Sequence, residues 1–529
     1  MAQIEHPHST MVSVKETLEP IVIAFVLAFV LRAFVVEAFV IPTGSMAPTL
    51  LGKHLRITCP QCGFRFPVNW RDSRVGNRKE PATLQGEKDP IIVHCPMDDY
   101  PIDWGQARVD GGDRILVLKY VYAVSEPRRW DVVVFKNPQK TKENFIKRLV
   151  GLPGEQIRIA RGNVYTRADA DAAWQVERKP EKAQRAMWQP VYHSRYVPLD
   201  EGESEDRSRR WVGPWTPTGD SASAWSPTVN GRMLGPYYEY DEEGNGPGTL
   251  TFSYSTPPNG SEWSQRPQFK ANLPDDRYPY NQITTSWRGS TGRPQTVEDV
   301  RVSATLIPRA DGLSTRLETT NDQLAWSGVI AADGTVTLQE RAVRSDDDWE
   351  DLATGQVAAF KAGRPARVEF WHSDHWLSLW VNGEKIAESR TAQVVDFDRL
   401  PPLRETPRVA IHVAGASVRL HSVNLDRDVY YTTARASSET RTQRAIAGPL
   451  TVKADEFFCL GDNSPASEDG RLWEYVDPWV ESELNARPGV VPRELMIGRA
   501  FFVYFPAGYR FGSGGPGVIP NFGDMRFIQ

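Results

Sequence analysis

The sequence predicts a mainly β protein with a single N-terminal transmembrane helix. Three observations carry that reading. The 529 residues include 40 Gly and 40 Pro, a supply of turn formers that suits many short strands. Short runs of branched and aromatic residues, bounded by Gly, Pro or charge, recur from Ile115 to Phe505. One apolar segment, Ile21–Ile41, interrupts a chain whose mean hydropathy is otherwise low, at −0.45 overall. With 40% hydrophobic and 24% charged residues the chain is globular in composition. Its 62 basic and 67 acidic residues give a net charge of −5, so no global basic field exists and no nucleic-acid partner is expected. Four cysteines in this length cannot build a disulfide scaffold.

The apolar segment reads IVIAFVLAFVLRAFVVEAFVI, 21 residues with two charges, Arg32 and Glu37. As a helix it would reach about 30 Å, enough to cross a hydrocarbon core. Pro20 fits a first helical turn, and Pro42 stops the run. A charge at mid-membrane costs about 2.5–3.5 kcal/mol on insertion scales, so Arg32 and Glu37 belong near one boundary, where they can snorkel. A buried core helix would be shorter and amphipathic. A cleaved signal peptide would need a basic n-region and a small-residue cleavage site, but only Lys15 precedes the run and no A-x-A follows it. The expected division is a tail over 1–17 and an anchor over 18–41. Lys15 alone is a weak positive-inside signal, so charge leaves the orientation open.

After the anchor come the strand-like runs Ile115–Tyr120, Asp131–Lys136 and Phe145–Val150, and Leu152–Arg167 reads as a hairpin turning near Gly162–Asn163. Residues 168–215 are polar and charged, as expected of a linker or irregular region. From 216 to 449 the chain alternates turns with strand-length runs such as VRVSATLI, GTVTLQE and ARVEFWH, and Asn382-Gly383 is a strong hairpin signal. That pattern predicts a jelly-roll, lectin-like β-sandwich. Twelve of the 17 tryptophans lie between Trp174 and Trp380. They are expected to pack the sandwich, the alternative being an aromatic platform for a glycan or protein ligand. The runs Glu456–Asn463 and Met496–Phe505 return to the style of residues 114–160, so the sandwich reads as an insertion into a domain made of 42–167 and 450–529.

Four short segments hold the chemistry. Ser45 sits in IPTGSMAPTL, directly after the anchor, and Lys147 sits in FIKRLVGLPG. GDRI (Gly112–Ile115) and GDNSPASEDGR (Gly461–Arg471) complete the set. Singly, each is a common surface turn; no G-x-S-x-G elbow is present. Their order and content together resemble the bacterial type I signal peptidases, membrane-anchored Ser/Lys dyad proteases, over about 18–57, 112–166 and 450–510. The resemblance implies that Ser45 is the nucleophile and Lys147 the general base. It implies that the Thr43 hydroxyl helps the Ser45 N–H hold the oxyanion. Ser467 would hold the Lys147 amine, while Asp469 and Arg471 brace their loop. Two positions depart from the family pattern: Ser464 stands where an Arg is usual and Gly470 where a Ser is usual. The residues agree with the resemblance. On a strand Phe145, Lys147 and Leu149 share one face, and Ile146, Arg148 and Val150 the other. Of the two cations only the lysine can give up a proton, and apolar burial can bring it from about 10.4 toward the 7–8 useful to a base.

Cys59-Pro-Gln-Cys62-Gly is one half of a zinc-ribbon knuckle within a small ribbon-like insert over 58–100, whereas the other half reads His94-Cys95-Pro96-Met97-Asp98. A tetrahedral zinc would draw on Cys59, Cys62, Cys95 and either His94 or Asp98. The alternatives are a degenerate ribbon with free thiols or a Cys59–Cys62 disulfide. Cys459 reads as a buried strand residue.

The family resemblance implies removal of N-terminal signal peptides from secretory preproteins, with no cofactor required for the reaction. It also implies a single-pass protein of the cytoplasmic membrane, its catalytic domain outside, with the lipid bilayer and preproteins as partners. One alternative is a self-cleaving Ser/Lys protease of the repressor type. The other is a non-catalytic membrane receptor whose sandwich, of the laminin-G or concanavalin kind, acts as a lectin. With all four boxes outside residues 168–449, the sandwich is expected to be dispensable for peptide-bond chemistry.

Overall fold

The computed structural model describes residues 10–529 except 71, 76–77, 82–91, 99, 104–107, 199–212, 230–231, 234–235, 253–273, 283–294, 344–347, 394–396, 398–406, 433–447, 509–516 and 518. The expected tail over 1–17 therefore falls largely outside the described residues. A helix runs over Thr10–Val30 and continues through a wider π-type turn at Leu31–Val35. Its stretch Thr17–Val35 is long and apolar enough to cross a membrane, and none of it is buried against the protein. The anchor ends earlier than the sequence suggested. Val36–Val40 is not helical but an edge strand, antiparallel to Arg114–Leu118 with Glu37 opposite Val117. Branched and aromatic residues at 36, 39 and 40 fit a pleated surface, and Glu37 pairs with Lys119 at 3.2 Å. Arg32 is thus left near the end of the apolar helix, as a snorkelling residue should be.

The strand at 36–40 opens an antiparallel sheet. Its order is Val36–Val40, Arg114–Leu118, Met496–Phe505, Val132–Asn137, Lys140–Gly151, Glu456–Leu460, Val491–Pro492, with Arg526–Phe527 added beside Met496–Phe505. The two sequence-distant pieces thus interleave in one sheet, which is why their hydrophobic styles match. Val133, Phe135, Leu149 and Phe457 form one face of its core with Trp473 and Val480. Beside it, Asn163–Arg167, Gln156–Ala160 and Leu450–Thr451 are consecutive strands of a smaller sheet, so the chain leaves for the insertion and returns from it at neighbouring strands. The predicted hairpin is here, with Ala160 opposite Asn163 and Gly162 at φ +86°.

The insertion is the expected sandwich. One layer is Trp225–Ser226, Tyr237–Tyr240, Val418–Arg427, Val300–Pro308, Ala366–Ser373, Trp376–Val381, Glu384–Arg390. The other is Trp215–Thr218, Gly248–Phe252, Arg408–Ala414, Ser314–Thr320, Leu324–Ile330, Thr335–Ala342, Glu350–Gln356. Alternating residues of both layers, among them Val302, Leu317, Phe370, Ile411 and Leu425, fill the space between. Trp215, Trp225 and Trp326 join that core, and Trp188, Trp371 and Trp380 pack in a second buried group. Among the described residues no tryptophan of the insertion is exposed, in keeping with packing.

Residues 168–215 are not a linker throughout. Gln175–Val176 pairs with Tyr165 and Thr166, Glu181–Met187 is helical, and Gln189–His193 pairs with Val418–Arg427 of the sandwich. Lys179 is buried in ion pairs with Asp374 and with Asp428, the latter at 2.8 Å. Charge density suggested solvation, which holds for Glu181 and Lys182, but Lys179 is compensated inside. The run at 199–210 lies outside the described residues. A third unit, His54–Thr58 between Arg65–Asn69 and Arg108–Asp110, carries a further hairpin, Ile92–His94 with Pro101–Asp103, and forms the ribbon-like insert.

Candidate active site

The long strand Lys140–Gly151 sorts its residues by alternation, as its sequence requires. Phe145 and Leu149 pack with Phe135 and Trp473, and Lys147 is carried into the same apolar surroundings. Lys147 is 4% exposed and its Nζ lies 2.9 Å from Ser45 Oγ. The Phe145 ring centroid is 5.0 Å from the amine. Burial pushes the Lys147 pKa down to about 8, against an upward pull from the carboxylate of Asp469. An amine at that value is a competent proton acceptor near neutral pH, and a hydroxyl at hydrogen-bond distance is what it needs.

Ser45 sits in a compact loop after the edge strand. Ala47 N–H donates to Gly44 O at 3.1 Å and Leu50 N–H to Met46 O at 2.9 Å, while Met46 and Leu50 are buried with Ile41, Ile115 and Val134. Asp113 of GDRI accepts from Leu51 N–H and from Arg526, both at 3.0 Å, tying the end of the loop to the sheet. Thr43, two residues before Ser45, is exposed.

Arg148, on the opposite face from Lys147, explains the Gly461–Arg471 segment. Its guanidinium grips Asp462 with two bonds of 2.8 and 2.7 Å, and Asp462 in turn accepts from Thr49 Oγ1 at 2.5 Å. All three are buried. One fork therefore holds the lysine's strand, the 461–471 loop and the Ser45 loop in one register; Lys could not replace it, since it lacks the planar pair of donors. Asn463 N–H donates to Ser45 O at 3.1 Å and its Nδ2 to Gly44 O at 2.9 Å. Asp469 and Arg471 form a buried pair with two bonds of 2.8 Å, Asp469 also accepting from Gly461 N–H at 3.0 Å. Ser464 accepts from Arg471 at 2.6 Å, a use that fits a small hydroxyl there. At Gly470 a Cβ would stand 2.5 Å from Gly489 O, so this backbone has no room for the usual Ser. The expected bond from Ser467 to the lysine is not formed. Ser467 is buried beside Gly461 and its Oγ has no hydrogen-bond partner among the described residues, because the loop presents the hydroxyl to Gly461 rather than to Nζ.

Sequence reasoning missed a contribution from the insertion. Residues 278–282 reach back over both loops. Tyr278 OH donates to Asp462 O at 2.8 Å, and Asn281 and Asn463 exchange side-chain amide bonds of 2.7 and 2.9 Å. The hydroxyl end of the Tyr280 ring packs against Gly44, where any Cβ would collide with it. Gln282 brackets the main chain of His94, donating to its O at 2.8 Å and accepting from its N–H at 2.7 Å. Thr432, at the insertion's far end, accepts through its O from Arg471 at 2.8 Å. The run RYPYNQ is dense in aromatic and amide groups, but no spacing links it to the four boxes.

The cysteine prediction resolves in one direction. Ligand atoms of Cys59, Cys62, Cys95 and Asp98 all lie within 4.8 Å of one another. His94 is not in that group: it ends a strand before the turn, while Asp98 takes the i+3 place that Cys62 has relative to Cys59. The free thiols leave no Cys59–Cys62 disulfide, and Cys459 is buried as expected.

Comparison with known proteins places the chain in a family. The family described as signal peptidase, peptidase S26, matches residues 14–63, 105–208 and 376–505, more than half of the chain. Signal peptidase I of Pseudomonas fluorescens is 30% identical over 133 residues, 25% of this chain and 30% of that protein. Signal peptidase I of Pseudomonas aeruginosa is 30% identical over 136 residues, 26% and 31%. The chain thus spans under a third of the length of these relatives. Among solved structures, a carbohydrate binding module from Bacillus subtilis covers 41% of this chain and 96% of its own at 8% identity, with a TM-score of 0.24. The matched segments take in the Ser45 loop, the Lys147 strand and the Gly461–Arg471 loop, and omit residues 64–104 and 209–375, where the ribbon and most of the sandwich lie; the chain belongs to the signal peptidase family, peptidase S26.

Proposed function

We propose that the protein is a membrane-bound serine endopeptidase that removes N-terminal signal peptides from secretory preproteins with a Ser45–Lys147 dyad. The observation that carries this reading is the 2.9 Å approach of Lys147 Nζ to Ser45 Oγ in a buried site that brings the amine to about 8. In the reaction, neutral Lys147 takes the proton from Ser45 Oγ as that oxygen attacks the scissile carbonyl carbon. The Thr43 hydroxyl and the Ser45 N–H donate to the oxyanion. Collapse breaks the C–N bond, and the Lys147 ammonium returns its proton to the leaving amine. The same lysine then deprotonates the water that frees Ser45 from the acyl group. Asp469 and Arg471 act through the loop, and Ser467 borders the dyad without bonding to the lysine. These steps use side chains, one main-chain N–H and water.

The membrane assignment rests on the unburied apolar helix, which runs straight into the edge strand preceding Ser45. That continuity keeps the site close to the bilayer, where a membrane-inserted signal peptide would present its cleavage point. On this reading residues 1–17 are cytoplasmic and the catalytic domain is outside. A substrate in extended form would add to a sheet edge. The test is cleavage of a preprotein by the purified full-length chain in lipid vesicles, with Ser45→Ala as the control. Undiminished processing by Ser45→Ala would end the proposal.

A further inference from the structure

Three thiols and a carboxylate converge at a point the peptidase reaction does not use. Cys59 and Cys62 stand on the turn between His54–Thr58 and Arg65–Asn69, and Cys95 and Asp98 on the turn between Ile92–His94 and Pro101–Asp103. Cys62 Sγ is 3.6 Å from Cys95 Sγ, and Cys59 Sγ is 3.4 and 3.6 Å from the two Asp98 oxygens. Zinc binds sulfur at about 2.3 Å and carboxylate oxygen at about 2.0–2.2 Å, so tetrahedral corners stand about 3.6–3.8 Å apart. The four side chains already have nearly that spacing.

The turns are built alike. Cys59-Pro60-Gln61-Cys62 closes with Gly63 N–H donating to Cys59 O at 3.0 Å and Cys59 N–H to Phe64 O at 2.9 Å, and Gly63 adopts φ +72°. Cys95-Pro96-Met97-Asp98 closes with Cys95 N–H donating to Tyr100 O at 3.0 Å, and Met97 N–H points at Cys95 Sγ at 3.4 Å. Asp98 is 2% exposed among Leu55, Phe66, Val93 and Met97, and among the described residues no basic side chain pairs with it. A buried carboxylate without a cation is costly, and one bound metal would compensate it and the thiolates together.

We propose that Cys59, Cys62, Cys95 and Asp98 hold one zinc ion in a closed structural site that staples the two hairpins of the ribbon-like insert. Soft thiolates disfavour calcium and magnesium, and four protein ligands leave no open position for catalysis. The stapled hairpin bears His94, whose main chain is bracketed by Gln282, next to the Asn281–Asn463 amide pair. The metal would therefore also steady residues 278–282. The site stands on its own geometry, whatever reaction Ser45 performs.

The test uses the full-length chain purified in detergent without chelator. Elemental analysis should find one zinc per chain, lost in Cys62→Ser and in Asp98→Ala. Asp98→Cys, which completes a four-thiolate set, should keep the metal and guards against simple misfolding. Cobalt in place of zinc should give a thiolate-to-cobalt charge-transfer band and the strong visible bands of a tetrahedral site. Metal-free protein with alkylatable thiols after zinc-supplemented preparation would overturn the proposal, as would a disulfide within the cluster found by mass spectrometry.

Discussion

Replacing or titrating Lys147 probes the dyad most directly. The ordinary lysine value of 10.5 is lowered to about 8 here. At pH 7 roughly one site in ten would carry the neutral amine, and at pH 9 roughly nine in ten. The kcat/KM of the full-length chain on a preprotein should therefore rise about tenfold between pH 7 and 9, with a slope of about tenfold per unit well below the midpoint, then level off. Folding stability should move the same way. Below pH 8 the folded state holds a buried ammonium that the unfolded chain would hold in water, a penalty of about 3 kcal/mol. Between about 8 and 10.5 the unfolded chain binds more protons, so stability rises with pH until that penalty is gone. Melting curves of Ser45→Ala, which cannot digest itself, would isolate the effect. Lys147→Arg keeps the charge but cannot release a proton, so activity should fall about ten-thousand-fold, as on loss of a triad member in other serine hydrolases. An active, correctly folded Lys147→Arg protein would refute the mechanism, as would a midpoint near 10.5.

Three further outcomes are expected. Asn281→Ala removes two amide bonds to Asn463 and should lower kcat about tenfold with KM little changed, read from initial rates on a soluble peptide, because it loosens Gly44 rather than the substrate. Thr43→Ala should cost about 3–4 kcal/mol of transition-state stabilisation, whereas Thr43→Ser should run near the parental rate in the same assay. Joining Arg167 to Leu450 with a short Gly/Ser linker should give a membrane-bound protein with strongly reduced cleavage, since Tyr278, Asn281 and Thr432 leave with the insertion. Parental activity in that deletion would show these contacts to be incidental.

Ser45 and Lys147 were legible through the four-box resemblance, and the local chemistry agrees with it. Lys147 and Arg148 must face opposite ways on a strand, and only one can act as a base. What could not be read is the use made of the other face: nothing local ties Arg148 to Asp462, 314 positions away. The end of the anchor was misplaced because Val36–Val40 is apolar enough for lipid and branched enough for a sheet, and pairing with Arg114–Leu118 decides between them. Residues 175–193 looked like a linker because charge normally means solvent, yet Lys179 is buried in ion pairs with Asp374 and Asp428. Ser467 followed from a motif, and its orientation depends on backbone the motif does not specify.

The insertion is better understood as a clamp than as a passenger. Its entry and exit strands both pair with Gln156–Ala160, so closing so long a loop disturbs the host sheet little, and closure entropy grows only slowly with length. The same adjacency lets both ends pack into host core. Ala183, Met187, Val429 and Tyr431 are buried with Trp130, Val150, Ile159 and Leu460. Packed in this way beside the peptidase sheet, the insertion brings residues 278–282 against the Ser45 and Asp462 loops. Gly44, with no side chain, is steadied by Tyr280 on one side and by Asn463 on the other, and Asn463 is itself held by Asn281. A dyad works only at hydrogen-bond distance, so the parts that hold Gly44 should tune the rate, by less than loss of Lys147 itself.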